Sequence, residues 1–221
     1  MGELAMIIGP SGAGKSKSYE NFEPDEVGIF NIAAKRPPFR KKLPTVNRPT
    51  YRQIKDALKA NNRRAYIIDD STYLMQFAMF EHAKESGYQK FTTMALDFEQ
   101  LLEAAMSTDA DTIVYFLHHP QFAEDGTAKP QTVGKMLDNQ LCVEGLFPIV
   151  LEAKVVDGKH VFVTKNDGYN IAKSPEGMFE SETIPNDLKA VDTAIRSYWG
   201  MKPLVDGKPA KKPAKPAKGQ A

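Results

Sequence analysis

A glycine-rich segment near the amino terminus has the composition and spacing of a phosphate-binding loop. The apolar stretch Leu4–Ile8 runs directly into residues 9–16, Gly-Pro-Ser-Gly-Ala-Gly-Lys-Ser, which match the pattern G-x-x-x-x-G-K-[ST]. The glycines let backbone N–H groups approach an anion closely, because no Cβ blocks them. The lysine can reach the β- and γ-phosphates, and the serine hydroxyl can ligate Mg²⁺. The segment therefore predicts binding of a nucleoside triphosphate by Gly9, Pro10, Ser11, Gly12, Ala13, Gly14, Lys15, Ser16 and Lys17.

Two adjacent carboxylates fit the acidic partner that such a loop requires. Asp69 and Asp70 directly follow the apolar strand segment 65–68. Carboxyl ends of parallel strands meet at one edge of a sheet, so these side chains are expected beside the phosphates. We assign Asp69, with Ser16, to Mg²⁺ binding through water. Asp70 is assigned to orienting or deprotonating the attacking water, and Lys15 is also predicted to be a catalytic residue.

A pair of histidines ends another apolar strand segment, 112–117. A polar side chain there can contact the triphosphate and transmit its loss to the loop that follows. We predict that His119, rather than His118, is this γ-phosphate sensor. The alternative, a structural histidine whose hydrogen bonds are satisfied, stays open. His82 and His160 are given structural roles only.

The stretch from Pro120 to Gly134 reads as a polar loop that suits single-stranded nucleic acid. Phe122 can stack on a base, while Lys129 and Lys135 can neutralise phosphates. A solvated loop without a ligand is an equal alternative. The basic segment 35–42 is a second candidate for nucleic-acid contact, or an extended arm between protomers.

Strand and helix patterns alternate along the chain, which predicts an α/β fold with a mainly parallel sheet flanked by helices. Thr50 and Gln53 form a capping box, and Asp157-Gly158 predicts a hairpin that adds an antiparallel edge. A helix is also expected directly after the phosphate loop. Strands are predicted at 4–8, 27–32, 65–68, 112–117, 147–156 and 159–165, and helices from 50, at 72–84, 93–106 and 186–199.

Composition favours one domain over residues 1–200 and a disordered Pro/Ala/Lys tail over 201–221. The net charge of +1 divides into +5 from Lys202 onward and −4 before it. A single cysteine, Cys142, excludes an internal disulfide, and no Cys/His spacing suggests zinc. No apolar run approaches membrane-spanning length, so a cytoplasmic location is expected.

Taken together, these motifs resemble phage-encoded RecA-like nucleotide-binding proteins, the small ATPases associated with single-strand annealing and recombination. The resemblance covers residues 4–199 and is carried by the phosphate loop, the Asp69-Asp70 strand and the His118-His119 strand. Three further stretches add to it: 132–155, 163–179 and 184–188.

That resemblance implies a RecA-like fold, ATP and Mg²⁺ as ligands, and single-stranded DNA as partner. It also implies homo-oligomers with nucleotide at subunit interfaces, and a single-strand-binding protein as a further partner. Lys165 takes the position of a catalytic basic residue that reaches into the neighbouring subunit's site, and Lys173 is a second candidate for this role. One departure is that no glutamate follows the second strand, where residues 30–34 read Phe-Asn-Ile-Ala-Ala. Catalysis then rests on Asp70, and slow hydrolysis, stimulated by DNA or by oligomerisation, is expected.

Two other functions are compatible with a phosphate loop: a small-molecule nucleotide kinase and a non-catalytic, nucleotide-dependent assembly factor. Kinases usually clamp acceptor phosphates with arginines on a lid. This chain has seven arginines, and none lies between Arg64 and Arg196. The arginine distribution therefore disfavours the kinase and does not bear on the assembly factor.

Overall fold

The computed structural model describes residues 1–124, 126–134 and 141–206. Within these ranges a sheet carries helices on both faces, beside a small two-stranded sheet. The strands are β1 (Glu3–Ile8), β2 (Val27–Asn31), β3 (Thr45–Asn47), β4 (Ala65–Asp69), β5 (Ile113–His118), β6 (Pro120–Phe122), β7 (Ala128–Pro130), β8 (Ile149–Val156), β9 (Lys159–Val163) and β10 (Thr183–Pro185). The helices are α1 (Tyr51–Ala60), α2 (Thr72–Glu81), α3 (Gln89–Met106) and α4 (Leu188–Trp199), and Val143–Leu146 forms a 3₁₀ turn.

The larger sheet of the described chain has the strand order β10-β9-β8-β1-β5-β4-β2-β3. Neighbours from β8 to β3 pair in parallel, whereas β9 and β10 pair antiparallel. This confirms the predicted α/β fold with a mainly parallel sheet and an antiparallel edge. The predicted Asp157-Gly158 turn joins β8 to β9, and both residues have positive φ, as a two-residue hairpin turn requires.

Two apolar layers cover the sheet. On one face, α1, α2 and α3 pack their apolar residues, among them Ile54, Met75 and Phe98, against the sheet. On the other face, α4 packs through Leu188 and Ile195. The central strands are buried on both faces, which explains their nearly continuous apolar sequences. No described helix is both long and apolar enough to cross a bilayer.

Several local predictions need correction. The chain after the phosphate loop forms successive turns over residues 11–22, not a helix, with bonds such as Glu20 N to Lys17 O. The stretch predicted as a polar loop after Pro120 contains the β6–β7 hairpin. Strand β3, which precedes α1 in the chain, was not predicted from the sequence. Helix α4 was predicted to begin at Asn186 as its cap, but it begins at Leu188 and its cap is Asp187, whose side chain accepts hydrogen bonds from backbone N–H groups that would otherwise lack partners.

The basic segment 35–42 is not an unattached arm, and the start of the tail contacts the folded chain. Phe39 packs its ring edge-to-face against Tyr19, with 5.3 Å between the ring centroids. Met201 and Leu204 pack on the core, and Asp206 forms an ion pair with Arg64 at 2.8 Å. The rest of the predicted disordered tail, 207–221, lies outside the described residues.

Candidate functional site

The phosphate loop leaves the carboxyl end of β1 and is closely packed at its start. Gly9 donates its N–H to the carbonyl of His118 at 3.2 Å. A Cβ on Gly9 would lie 2.5 Å from the carbonyl oxygen of Ala153, so glycine is required there by space. Gly12 and Gly14 have φ values of +83° and +100°, a backbone region that favours glycine. The loop conformation therefore explains each of the three glycines.

The loop presents donors that suit an anion. Among the described residues, no backbone carbonyl accepts a hydrogen bond from the N–H groups of Gly14, Lys15 or Ser16. The buried Lys15 ammonium folds back and donates to the carbonyls of Gly9 and Pro10, at 2.6 and 3.1 Å. Burial lowers the pKa of Lys15 to about 8, although the charges of Asp70 and Asp69 oppose this change.

Ser16 and Asp69 are in contact at the carboxyl edge of the sheet. The Ser16 hydroxyl donates to Asp69 Oδ1 at 2.9 Å, and the Tyr19 hydroxyl donates to Asp69 Oδ2 at 2.9 Å. Burial and the neighbouring charge of Asp70 raise the pKa of Asp69. A nearby cation would favour the charged carboxylate.

This pair of oxygen ligands fits Mg²⁺. The ion is commonly held by one or two protein oxygen ligands, with phosphate oxygens and waters completing an octahedron. The Ser16 hydroxyl and the Asp69 carboxylate supply that number and chemistry. Within the described ranges, no group of three or more His, Cys, Asp or Glu side chains has an arrangement that could hold a metal.

Asp70 lies at the centre of a charged cluster. His119 Nε2 lies 3.1 Å from its Oδ1, and the ammonium of Lys35 lies 2.6 Å from its Oδ2. Burial alone would raise the pKa of Asp70, but these two hydrogen bonds lower it to about 2. A carboxylate with so low a pKa is a weak proton acceptor, which favours a role for Asp70 in orienting water over deprotonating it.

The two adjacent histidines occupy different environments. His119 belongs to the Asp70 cluster and packs edge-to-face against Tyr73, with 5.7 Å between ring centroids. His118 is fully buried, with Nδ1 2.8 Å from the Ser71 hydroxyl and Nε2 2.8 Å from the carbonyl of Gln131. Burial lowers the pKa of His118 to about 4. Of the two histidines, His119 contacts Asp70, and its role as a phosphate sensor stays a prediction.

Two residues beside the loop were not identified from the sequence as functional. The His160 ring lies against the loop, and its Nδ1 is 3.1 Å from the carbonyl oxygen of Ala13. Asn186 lies on the same side, 3.0 Å from where a Cβ of Gly14 would stand. Both polar side-chain atoms of Asn186 are buried without a hydrogen-bond partner. His160 belongs to no motif, and the stretch 184–188 gave Asn186 no role in the site, so only the β8–β9 pairing and the approach to α4 reveal these two residues.

The other predicted site residues lie away from this cluster. The Lys165 ammonium is 3.7 Å from Glu182, at the end of the antiparallel strand that runs away from the phosphate-loop edge. The Lys17 side chain pairs with Glu20 on the surface, so any contact of Lys17 with phosphate would use its backbone. The role of Lys165 in the neighbouring subunit's site stays a prediction.

Two of the three predicted DNA-binding residues lie on the β6–β7 hairpin. Phe122 is 61% exposed, and Lys129 lies on the facing strand. Lys135 lies outside the described residues. The structure adds Tyr169, which is 70% exposed and whose carbonyl accepts a hydrogen bond from Ala128 N at 3.0 Å. Phe122 pairs with Ala128 in the hairpin, so two exposed aromatic residues lie on adjoining backbone segments.

Comparison with known protein families and with curated proteins finds no match to this sequence.

Proposed function

We propose that this chain binds ATP with Mg²⁺ on the loop at residues 9–17, hydrolyses it slowly and acts on single-stranded DNA. One observation carries the nucleotide site: the hydrogen bond of 2.9 Å from Ser16 to Asp69. These residues come from two separate motifs, 53 positions apart, and each was assigned to Mg²⁺ from its own motif. Their contact supports a shared metal site.

The surrounding residues supply the remaining requirements of phosphate binding. The N–H groups of Gly14, Lys15 and Ser16 can bind phosphate oxygens, and the Lys15 ammonium can leave its loop carbonyls for the β- and γ-phosphates. Mg²⁺ held by Ser16 and Asp69 would neutralise charge on the phosphates. These residues act by positioning and electrostatics, which provide most of the catalysis in phosphoryl transfer.

Hydrolysis would join a water oxygen to the γ-phosphorus and break its bond to the bridging oxygen, releasing ADP, phosphate and a proton to solvent. Asp70 would orient this water, and His119 would hold Asp70 and sense the γ-phosphate. Because no glutamate follows β2 to act as a base, slow turnover is expected.

The exposed aromatic residues near the β6–β7 hairpin support single-stranded DNA as the partner. Phe122 and Tyr169 can stack on bases, which is a sequence-tolerant way to bind single strands. Lys129 lies in the same hairpin and can approach the backbone phosphates. Because the hairpin follows His119 directly, nucleotide state and DNA affinity can be coupled. The RecA-like fold, the homo-oligomer with Lys165 at its interfaces, the single-strand-binding protein and the cytoplasmic location belong to the same proposal.

The test is a calorimetric titration of the full chain with ATP and Mg²⁺, followed by phosphate release with and without single-stranded DNA. Lys15→Ala should weaken ATP binding by at least about 10-fold, since it removes charged hydrogen bonds to phosphate. Lys59→Ala is the matched control, because Lys59 lies at the far end of α1. Wild-type ATP affinity in a folded Lys15→Ala protein would contradict the site.

The same assays separate the alternatives. Binding without phosphate release would favour the nucleotide-dependent assembly factor. Transfer of phosphate to an added nucleoside monophosphate would favour the kinase.

A further inference from the structure

Lys35 lies at the phosphate-loop edge of the sheet. The sequence identifies it only as part of the basic segment 35–42. It follows a turn at the end of β2 in which Ala34 has a φ of +52°. The buried Asn31 side chain donates to the carbonyl of Lys35 at 2.7 Å and to Asn47 Oδ1 at 2.9 Å. The backbone of Lys35 is therefore held in place by a buried amide at the ends of β2 and β3.

The side chain of Lys35 reaches from this anchored backbone into the candidate site. Its ammonium lies 2.6 Å from Asp70 Oδ2 and 5.3 Å from the centre of the Tyr73 ring. Asp70 is buried, whereas the Lys35 side chain is 57% exposed. The ammonium therefore lies at the entrance of the site. The aliphatic part of the side chain can change rotamer while the ammonium stays in contact with water.

The charges around Lys35 match those of a phosphate site. Lys15 and Lys35 both interact with Asp69 and Asp70, and the positive charge of Lys35 contributes to the lowered pKa of Lys15. Without nucleotide, the two ammonium groups balance the two carboxylates. A bound triphosphate with one Mg²⁺ adds net negative charge, which the flexible ammonium at the mouth can meet.

We propose that Lys35 is a second phosphate-binding lysine, whose ammonium moves from Asp70 to the terminal phosphate of the bound nucleoside triphosphate. This inference rests on the proposed ATP site and names a further residue in it. It gives Lys35 a role that depends on the γ-phosphate, because its ammonium lies at Asp70, which is assigned to the water that attacks this phosphate. A lysine that served only as a structural partner of Asp70 would not distinguish a triphosphate from a diphosphate.

The experiment compares the affinities of the full chain for a non-hydrolysable ATP analogue and for ADP, each with Mg²⁺, by calorimetry. Lys35→Ala should weaken binding of the triphosphate analogue by about 10-fold or more and leave ADP affinity unchanged within about 2-fold. Lys35→Arg keeps the charge and should retain most of the preference for the triphosphate. Lys42→Ala is the matched control, because it removes an exposed lysine from the same basic segment. Thermal unfolding without nucleotide checks that each variant is folded.

The outcomes separate the two proposals. If the wild-type chain binds neither nucleotide, the proposed function fails. If it binds both, and Lys35→Ala loses affinity for both equally or for neither, the ATP site stands and the role of Lys35 is overturned. Selective loss of triphosphate affinity, restored in Lys35→Arg, supports the inference.

Discussion

His160 Nδ1 lies 3.1 Å from the carbonyl oxygen of Ala13, so the β8–β9 hairpin supports the phosphate loop from one side. Because a carbonyl oxygen only accepts hydrogen bonds, Nδ1 is the donor and carries a proton. The strand pairing explains the contact. β8 pairs with β1 up to Ile8 and then continues beyond it, and β9 returns along β8 with His160 opposite Val155.

This contact predicts different costs for two substitutions in the loop. Gly14→Ala and Gly12→Ala should each lose roughly 1–2 kcal/mol of stability, because alanine disfavours positive φ. Only at Gly14 would the new Cβ collide, at 2.9 Å from His160 Nδ1 and 3.0 Å from Asn186 Nδ2, whereas Gly12 faces open space. Gly14→Ala should therefore lose about 1–3 kcal/mol more, measured by urea unfolding. Equal losses of stability would mean that the side chains of His160 and Asn186 move away from the new Cβ at no cost.

The adjacent aspartates should separate metal binding from catalysis. Asp69→Ala removes the carboxylate that contacts Ser16, so ATP affinity should lose its dependence on Mg²⁺ in titrations with and without the metal. Asp70→Asn should still bind ATP but hydrolyse it on the order of 100-fold more slowly, because the attacking water loses its orientation. Single-turnover hydrolysis measures this rate. A wild-type rate in Asp70→Asn would place the water-orienting group elsewhere.

The buried His118 should make stability depend on pH. Its pKa is about 4 in the folded chain against 6.5 ordinarily, so between these values the unfolded chain binds the proton more readily. The free energy of unfolding should have its full value above pH 6.5. It should fall by about 3 kcal/mol as the pH drops from 6.5 through 4. His118→Gln should remove this component from denaturant unfolding measured across pH 4–7. If the free energy of unfolding depends on pH in the same way in both proteins, the lowered pKa of His118 is wrong.

The hairpin aromatic residue should contribute directly to DNA binding. Phe122→Ala should weaken binding of a labelled single-stranded oligonucleotide by about 5- to 150-fold, equivalent to about 1–3 kcal/mol for one stacked base. Phe80→Ala is the control, because Phe80 is equally aromatic and 77% exposed but lies on α2. Fluorescence anisotropy with and without ATP gives both affinities. Equal effects of the two substitutions would argue against a specific stacking site.

Deleting residues 207–221 tests the lysine-rich tail and preserves the Asp206–Arg64 ion pair. Affinity for DNA should fall at low salt, where released counterions matter most, but its dependence on ATP should remain. Complete loss of binding would show that the tail alone holds DNA.

Features that depend on neighbouring residues could be predicted from the amino-acid sequence alone. The capping box of Thr50 and Gln53 and the buried Ile54 and Leu58 of α1 follow from spacing within a single helix. The Asp157-Gly158 turn follows from the backbone preferences of two residues. For the same reason the apolar segments predicted the parallel strands, since strands buried on both faces are apolar throughout.

The surroundings of the site could not be predicted in this way, because contacts between distant segments depend on strand order. Turns follow Ser16 where a helix was expected, and β6 pairs with β7 where a loop was predicted. The tertiary structure also brings Lys35 to Asp70 and His160 to Ala13. Neither pair has a signal in sequence spacing, because a lysine in a basic segment and a histidine in a hairpin both resemble ordinary surface residues. Only the alignment of β2, β4, β8 and β1 at one edge of the sheet makes them neighbours of the phosphate loop.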